Sequence, residues 1–358
     1  MMIPRTVEDL TAEWLTDAFA NGATVTAVTS EPIGVGVGLV GQLFRLRLTW
    51  TAGTGDRSDT APDVAIAKLA AQGEESRFVA TVLNMYGREH GFYRDLSRAT
   101  RLAHPTCWYA AHDEQTQDTV LLLEDVSVRG TMLDQVAGAR LDDVVPAIDA
   151  LAEFHAGWWG SPELDEHPWL LRLADDPYPV AVQMAFGVGW PRVQAMFPEL
   201  CTPEVRGFGD AYAEGIPKLF ARLSEPPLVL SHADYRLDNL FFAPDGTVIA
   251  VDWQLVDRTV GPRDLAYLVT QSLEIRDAAD YRRALDRYVA GLRRHGVSVD
   301  DAWALEQYRY GALLGFVYPV IAGGSLTIED PRHVELVRAL LRRCLAALAA
   351  LDAFDLPR

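Results

Sequence analysis

The sequence predicts an α+β fold in which a small strand-rich region precedes a larger, mainly helical one. Alternating apolar and polar residues, typical of strands, are concentrated between residues 24 and 124, whereas helical periodicity prevails from about residue 140 onward. A strand–loop–strand pattern over residues 227–253 interrupts the helical region. A chain of 358 residues is also too long for a single compact core. We therefore expect two lobes, residues 1–124 and residues 125–358.

The composition is that of a soluble globular protein, with 49% hydrophobic and 23% charged residues. A net charge of −18 opposes binding to nucleic acid and to anionic membrane surfaces. The N-terminus lacks the apolar core of a signal peptide. The longest nearly apolar run, "GALLGFVYPVIAGG", is too short to span a membrane, and we expect it to form a buried helix. We therefore expect a cytoplasmic protein that binds neither nucleic acid nor membrane.

A glycine-rich segment, "IGVGVGLVGQLFRLRLTW", contains Gly36, Gly38 and Gly41. A dinucleotide-binding motif would need a helix directly after these glycines. The residues that follow, 42–50, instead alternate with period two and predict a strand. A glycine turn between two strands lets bare backbone approach the phosphates of a nucleotide, as in kinases. A flexible hairpin without a ligand is the alternative interpretation.

An ion pair between Lys68 and Glu89 is predicted from two separate patterns. Strand alternation in "VAIAK" places Lys68 on the same face as Ile66. A helix is predicted over residues 75–98, and Glu89 occupies a position in its apolar stripe, whose other members are Phe78, Val82, Met85, Phe92 and Leu96. A buried carboxylate needs a cationic partner. The alternatives are a solvated Lys68 at the sheet rim and a Glu89 side chain that reaches the surface.

The strongest motif is "SHADYRLDNL", which lies between two apolar runs. His232, Asp234 and Asn239 have the spacing of a kinase catalytic loop, in which the aspartate is the base. Thirteen residues after Asn239, "TVIAVDW" carries Asp252 at the end of a second strand. The intervening "APDG" predicts a turn, so the two strands form a hairpin that brings Asn239 close to Asp252. Oxygen ligands of this kind suit Mg²⁺ that is also bound by phosphates.

These motifs, from Ile33 to Leu273, resemble those of the aminoglycoside phosphotransferase and choline kinase superfamily, which has a protein-kinase-like fold. The segments "LVLSHADYRLDNLFF" and "VIAVDWQLVDRTVGPRDLAYL" are similar to bacterial phosphotransferases related to ecdysteroid kinases and to the kinase-like domains that precede some acyl-CoA dehydrogenases. The resemblance implies a bilobal α+β fold with ATP in the cleft between residues 1–124 and 125–358.

The resemblance also implies a role for each motif residue. The nucleotide-binding residues would be Gly36, Gly38, Gly41, Lys68, Glu89 and the backbone from Glu124 to Val126, next to the adenine. The catalytic residues and Mg²⁺ ligands would be Asp234 as base, Arg236 facing the γ-phosphate, and Asn239 and Asp252 on the metal. His232 and Asp264 would brace the catalytic loop.

The sequence departs from the pattern of the family at two places. Ala233 stands where a glycine usually follows the loop histidine, and we expect this small change to leave the backbone undisturbed. The usual Asp-Phe-Gly reads Asp252-Trp253-Gln254, which is typical of small-molecule kinases and argues against a switch controlled by phosphorylation.

The function expected from these observations is ATP-dependent transfer of a phosphoryl group to a hydroxyl of a small molecule. A nucleotide-binding pseudokinase and an aminoglycoside-type antibiotic kinase are the alternatives, although the C-terminal helix is not notably acidic. A metal-dependent hydrolase would need more ligands than the histidines supply. Trp158, Trp159 and Trp190 are assigned either to the core or to an acceptor site. The sequence determines neither the acceptor, nor the preference for ATP over GTP, nor the oligomeric state.

Overall fold

A computed structural model describes residues 1–34, 40–51, 62–325 and 330–356 of the chain. It confirms the α+β class, because an antiparallel sheet near the N-terminus is followed by a mainly helical part. The chain divides into two compact units. The first comprises Met1–Ala99 and His104–Arg129, and the second comprises Thr100–Ala103 and Gly130–Arg358.

The first unit is built on an antiparallel sheet of five described strands in the order β1-β2-β3-β5-β4. The strands are β1 (Val25–Ile33), β2 (Gly41–Trp50), β3 (Val64–Ala70), β4 (Cys107–His112) and β5 (Thr119–Glu124). Alternate residues of β3, Ala65 and Ala67, are fully buried in a core that also includes Leu15 of helix α1 (Ala12–Phe19). Lys68 therefore lies on the opposite face of the central strand.

The helix predicted over residues 75–98 is interrupted. Helix α2 (Glu74–Val82) and helix α3 (Met85–Gly91) are followed by a π-helical turn (Phe92–Leu96) and a 3-10 turn (Ser97–Ala99). Asn84 adopts a left-handed conformation with φ +49° between the two helices, which breaks the helical phase. The apolar stripe consequently does not continue into α2: Phe78 is 69% exposed, so its predicted burial is wrong, whereas Met85 and Glu89 are buried.

The second unit is mainly helical. Its helices are α4 (Val145–Trp158), α5 (Tyr178–Met196), α6 (Pro203–Leu223), α7 (Pro262–Ser272), α8 (Ala279–Arg294), α9 (Asp301–Leu314), α10 (Val317–Ser325) and α11 (Pro331–Ala350). Its strands form two antiparallel pairs, β6 (Val229–Ser231) with β9 (Asp257–Thr259) and β7 (Leu240–Phe242) with β8 (Val248–Ala250). The strand–loop–strand predicted over residues 227–253 thus forms β6, the loop and the β7–β8 hairpin.

The long apolar run near residue 315 forms two buried helices rather than one. Helix α9 ends at Leu314 and α10 begins at Val317. In a continuous helix, Pro319 would lack a donor for the Gly315 carbonyl and its ring would clash with that carbonyl. Within α10, Pro319 lies in the first turn, where its missing N–H costs nothing. No helix among the described residues is long and apolar enough to cross a membrane.

Two of the three tryptophans assigned to the core or to an acceptor site belong to the core. Trp158 and Trp190 are 3% and 4% exposed, and Trp190 Nε1 donates a hydrogen bond to Asp210 Oδ1 at 2.8 Å. The Trp190 ring lies on Gly209 of α6, so closely that a Cβ there would overlap it. Trp159 is partly exposed, and its ring meets that of Trp303 edge-on, with centroids 5.8 Å apart.

Helices α5 and α10 approach each other closely at a glycine. A Cβ added to Gly189 of α5 would overlap the carbonyl oxygen of Val320 in α10. We expect Gly189→Ala to reduce the free energy of unfolding by about 1–3 kcal/mol, because the helices must separate. In the same helix, a Cβ added to Gly187 has no atom within 4 Å. Because alanine has the better helix propensity, Gly187→Ala should be neutral or stabilising by up to about 1 kcal/mol. Denaturant unfolding measures both, and equal effects would refute the close contact.

Candidate active site

Lys68 and Glu89 form a buried ion pair in the first unit. Lys68 Nζ lies 2.7 Å from Glu89 Oε2, and the two side chains are 10% and 3% exposed. Strand β3 supplies the lysine and helix α3 supplies the glutamate, as the separate patterns in the sequence predict. The pair holds the positively charged amine of Lys68 at a defined position on the less buried face of the sheet.

Gly41 makes room for the Lys68 side chain. A Cβ at Gly41 would lie 3.3 Å from the Leu69 carbonyl oxygen and 3.4 Å from Lys68 Cε, closer than ordinary van der Waals contact. The glycine at the start of β2 therefore allows the lysine to run alongside that strand. Gly36 and Gly38, the other glycines predicted to contact phosphates, lie outside the described residues.

Tyr86 connects the residue before β2 to the residue after β3. The sequence patterns did not single it out. Its hydroxyl donates to the Val40 carbonyl at 2.6 Å and accepts from the Ala71 N–H at 3.0 Å. Val40 directly precedes β2 and Ala71 directly follows β3. A buried tyrosine hydroxyl needs partners, but nothing in the sequence indicates which backbone groups provide them.

The predicted adenine-binding segment follows strand β5. Glu124 ends the strand, with its N–H donating to the Thr106 carbonyl at 2.9 Å. Val126 begins a short 3-10 turn that Asp125 caps by accepting the Ser127 N–H at 3.1 Å. Arg45 Nε pairs with Asp125 Oδ2 at 2.7 Å. The backbone of this segment is therefore fixed by side-chain contacts within the first unit.

In the second unit, the buried carboxylate of Asp264 organises the loop after β6. Asp264 accepts hydrogen bonds from the Ser231 hydroxyl (2.7 Å) and from the N–H groups of His232 (2.8 Å) and Ala233 (3.2 Å). It also contacts His155 Nε2 and Arg263 Nη1, both at 3.3 Å. Burial alone would raise the pKa of this carboxyl, but these donors and the Arg263 charge hold it well below its usual value.

His232 connects the loop to the end of β8. Its Nδ1 accepts the Asp234 N–H at 3.3 Å, so Nε2 carries the proton and donates to the Val251 carbonyl at 3.0 Å. Burial lowers the pKa of this ring, which favours the neutral form. The ring packs on that of Trp253, with centroids 4.6 Å apart.

Ala233 occupies a backbone conformation that favours glycine. Its φ is +67°, in the left-handed region, where a Cβ costs roughly 1–2 kcal/mol. The alanine therefore adds strain to the loop backbone that a glycine would not. The contacts of the neighbouring N–H groups with Asp264 offset this cost.

Asp234 is held by three donors. Its Oδ1 accepts from Tyr267 Oη (2.5 Å) and Arg236 Nε (3.1 Å), and its Oδ2 accepts from Asn239 Nδ2 (2.7 Å). Burial would raise the pKa of the carboxyl, but the Arg236 charge and the hydrogen bond from Tyr267 outweigh burial and lower that pKa. Arg236 Nη1 also pairs with Asp238 Oδ2 at 2.9 Å. The carboxylate is thus ionised and fixed in orientation.

The β7–β8 hairpin brings Asn239 and Asp252 to the same end. Leu240 pairs with Ala250, and the Val251 N–H donates to the Asn239 carbonyl at 2.9 Å. The Asn239 amide nitrogen is turned toward Asp234, so its side-chain oxygen is the group left to bind a cation. Asp252 has φ +65°, an uncommon conformation that is often found at functional sites.

This donor set fits Mg²⁺. An amide oxygen and a carboxylate are hard oxygen ligands, and Mg²⁺ bound to a nucleotide usually takes only one or two protein carboxylates. The described residues contain no cluster of three or more His, Cys, Asp or Glu side chains that could hold a metal by itself. The set therefore suits a cation that phosphate and water complete, and not a site made by protein alone.

Solved structures of known proteins share this architecture. A protein from Ralstonia eutropha JMP134, assigned as an aminoglycoside phosphotransferase, matches with a TM-score of 0.55 at 13% identity, over 98% of this chain and 99% of its own. Amicoumacin kinase hAmiN, solved with AMP-PNP and Ca²⁺, matches with a TM-score of 0.53 at 12% identity, over 94% of each chain. The chain has the protein-kinase-like fold of small-molecule kinases.

Further comparisons agree with this kinase-like fold. The aminoglycoside phosphotransferase APH(2″)-IIIa, solved with GDP and kanamycin, matches with a TM-score of 0.52 at 13% identity, over 93% of this chain and 97% of its own. In sequence, the model of the ecdysteroid kinase-like family matches residues 37–159. No protein of curated function matches the chain. The predicted resemblance to the superfamily is therefore confirmed for the fold.

Within the kinase-like fold, the structure groups the predicted residues into two sets. Lys68 and Glu89 are together in the first unit, and the Asp234 cluster is together in the second. Tyr267, which contacts Asp234 directly, was not predicted. It lies 33 residues after Asp234 in "RDLAYLV", a helical pattern with no signal beyond a buried aromatic.

The loss of the Asp264 charge should be costly. Asp264→Asn leaves Arg263 buried without its closest carboxylate and presents an amide to groups that donate, so we expect a loss of about 3–5 kcal/mol in the free energy of unfolding. Asp286→Asn, which breaks an exposed pair with Arg282, should cost less than about 0.5 kcal/mol. Urea unfolding at neutral pH measures both variants.

The same variant should change the pH dependence of stability. Because the pKa of Asp264 is lower in the folded chain, its ionised form stabilises the fold above about pH 4, and this contribution is lost as the pH falls below that value. Between about pH 6 and pH 3, the free energy of unfolding should therefore fall less steeply with decreasing pH in Asp264→Asn than in the wild type. An unchanged slope would contradict the role given to this carboxylate.

Proposed function

We propose that the chain is an ATP-dependent phosphotransferase that transfers the γ-phosphoryl group to a hydroxyl of a small molecule. One observation carries the proposal: a buried, ionised Asp234 is fixed by three donors beside a hairpin that presents Asn239 and Asp252. Such a carboxylate can orient a hydroxyl group and accept its proton. The kinase-like fold supports the same conclusion.

Asp234 acts as the general base. In a loose phosphoryl-transfer transition state, the base mainly aligns the hydroxyl and takes its proton late. Arg236 uses Nε and Nη1 for its contacts with Asp234 and Asp238. We assign its remaining nitrogen, Nη2, to the γ-phosphate, where a fixed positive charge would stabilise developing negative charge.

Asn239 and Asp252 would hold Mg²⁺ through the Asn239 amide oxygen and the Asp252 carboxylate. Bound Mg²⁺ would supply positive charge to the phosphate oxygens. Gln254 Nε2 lies 3.3 Å from Asp252 Oδ2 and helps to orient that carboxylate. His232 and Asp264 act indirectly by fixing the loop that carries Asp234 and Asn239.

Lys68, positioned by Glu89, would bind the α- and β-phosphates of ATP. Gly36, Gly38 and Gly41 would cover the phosphates, and the backbone of Glu124 and Val126 would meet the adenine. A lysine held by a buried carboxylate cannot turn away into solvent, so it is already in place when the nucleotide binds.

The acceptor is a small molecule in this proposal, because two structures that share the fold involve small molecules: hAmiN is named a kinase of amicoumacin, and APH(2″)-IIIa was solved with kanamycin. ATP consumption with a panel of hydroxylated compounds, aminoglycosides included, would identify the acceptor. A pseudokinase would bind nucleotide but consume no ATP, and the same assay would show that lack of turnover. The complete set of Asp234, Asn239 and Asp252 favours an active enzyme.

Two neutralising substitutions should separate catalysis from metal-dependent binding. Asp234→Asn keeps the shape but removes the base, so we expect kcat to fall about 10²–10⁴-fold while ATP with Mg²⁺ still binds. Asp252→Asn should instead weaken the Mg²⁺-dependent part of ATP binding. Steady-state turnover and calorimetric titration with and without Mg²⁺ measure the two effects.

Asp245→Asn is the matched control for both variants. Asp245 lies exposed in the β7–β8 turn, where it accepts the Thr247 N–H at 2.9 Å, and its substitution should change neither turnover nor binding. The assigned roles would be refuted if Asp234→Asn weakened nucleotide binding but kept full turnover at saturating ATP.

Glu89→Gln tests the ion pair. Without the carboxylate, Lys68 loses its anchor, so we expect turnover to fall about tenfold or more through weaker positioning of the phosphates, while the protein stays folded and soluble. Thermal unfolding, followed beside the kinetics, shows whether the loss comes from positioning or from stability. Unchanged kinetics would contradict the role of the pair.

A further inference from the structure

Tyr267 makes a short contact with the proposed base. It lies in helix α7, is 6% exposed, and its hydroxyl donates to Asp234 Oδ1 at 2.5 Å. The Tyr267 ring meets the Tyr318 ring edge-on, with centroids 4.3 Å apart. The Tyr318 hydroxyl in turn accepts from Arg263 Nη2 at 3.0 Å. The tyrosine is therefore fixed at both its ring and its hydroxyl.

Two other buried tyrosines of the second unit satisfy their hydroxyls with backbone carbonyls. Tyr235 donates to the Ala147 carbonyl at 2.9 Å and Tyr212 to the Leu313 carbonyl at 2.8 Å. Both contacts are ordinary packing with backbone. Tyr267 instead donates to the carboxylate that the proposed function makes the general base. A purely structural tyrosine does not require that partner.

The three donors leave limited room on Asp234. An ionised carboxylate offers about four acceptor positions, two on each oxygen. Tyr267 and Arg236 occupy those of Oδ1, and Asn239 occupies one on Oδ2. The remaining acceptor position is on Oδ2, the oxygen that also accepts from Asn239. An acceptor hydroxyl that approaches there also lies beside the proposed cation ligand, as transfer to a phosphate held by that cation requires.

We propose that Tyr267 is a positioning residue that occupies Oδ1 of Asp234 and thereby directs the acceptor hydroxyl to Oδ2. The inference rests on the proposed function. In the step itself, the acceptor oxygen forms a bond to the γ-phosphorus, and the bond from that phosphorus to the bridging oxygen breaks, with its electron pair leaving on ADP. The acceptor O–H bond breaks and its proton moves to Oδ2.

A double-mutant cycle on the full-length chain tests this role. Tyr267→Phe, Asp234→Asn and the double variant are compared with the wild type, using ATP with Mg²⁺ and water as the acceptor, and then any compound that the hydroxyl panel identifies. We expect Tyr267→Phe to lower kcat about 10- to 100-fold, the effect of one lost hydrogen bond to a charged group. The KM for ATP should stay unchanged, because Tyr267 does not touch the nucleotide-binding residues of this proposal.

The decisive result is the coupling. In the Asp234→Asn background, Tyr267→Phe should cost nothing further, since Tyr267 acts through that carboxylate. Tyr212→Phe removes an equally buried hydroxyl and should leave kcat unchanged. Melting temperatures of the two tyrosine variants show whether stability explains any difference.

The outcomes separate this inference from the proposed function. Suppose that the wild type is active, but that Tyr267→Phe has the same kcat or that the two substitutions have additive effects in the double variant. Either result overturns the role of Tyr267 and leaves the proposed function standing. A wild type that transfers phosphate neither to water nor to any compound of the panel overturns the proposed function and this inference with it. Loss of kcat, constant KM and complete coupling support both.

Discussion

A single buried carboxylate, that of Asp264, determines the geometry of the loop after β6. It accepts two consecutive backbone N–H groups, from His232 and Ala233, and the hydroxyl of Ser231. Backbone groups in a buried loop need partners, and here one side chain supplies them. The left-handed conformation of Ala233 persists because these contacts outweigh its strain.

Helix α7 contacts this loop at a second residue. Asp264 in its first turn holds the start of the loop, and Tyr267 one turn later contacts Asp234 within that loop. The two residues are three positions apart, so they lie on the same side of the helix. One rigid element thus fixes both the backbone of the loop and the orientation of its carboxylate, which is how a site is preorganised.

Each unit contains an ion pair with little exposure to solvent, although such pairs are seldom the most stable way to fill a core. Lys68 with Glu89 and Asp234 with Arg236 each place a fixed charge at a predicted site position. Packed apolar residues of similar size would cost less desolvation. Stability alone therefore does not explain why these pairs are present.

The sequence by itself determined the α+β class, the Lys68–Glu89 pair and the hairpin that joins Asn239 to Asp252. Each follows from local patterns, because alternation, helical periodicity and turn residues act over a few positions. The predicted burial of Phe78 is wrong, because the left-handed conformation of Asn84 changes the helical phase. Only the tertiary structure revealed Tyr86 and Tyr267. Their hydroxyls reach partners 46 and 33 residues away in the chain, and contacts at such separations depend on how the elements pack, which no local pattern encodes.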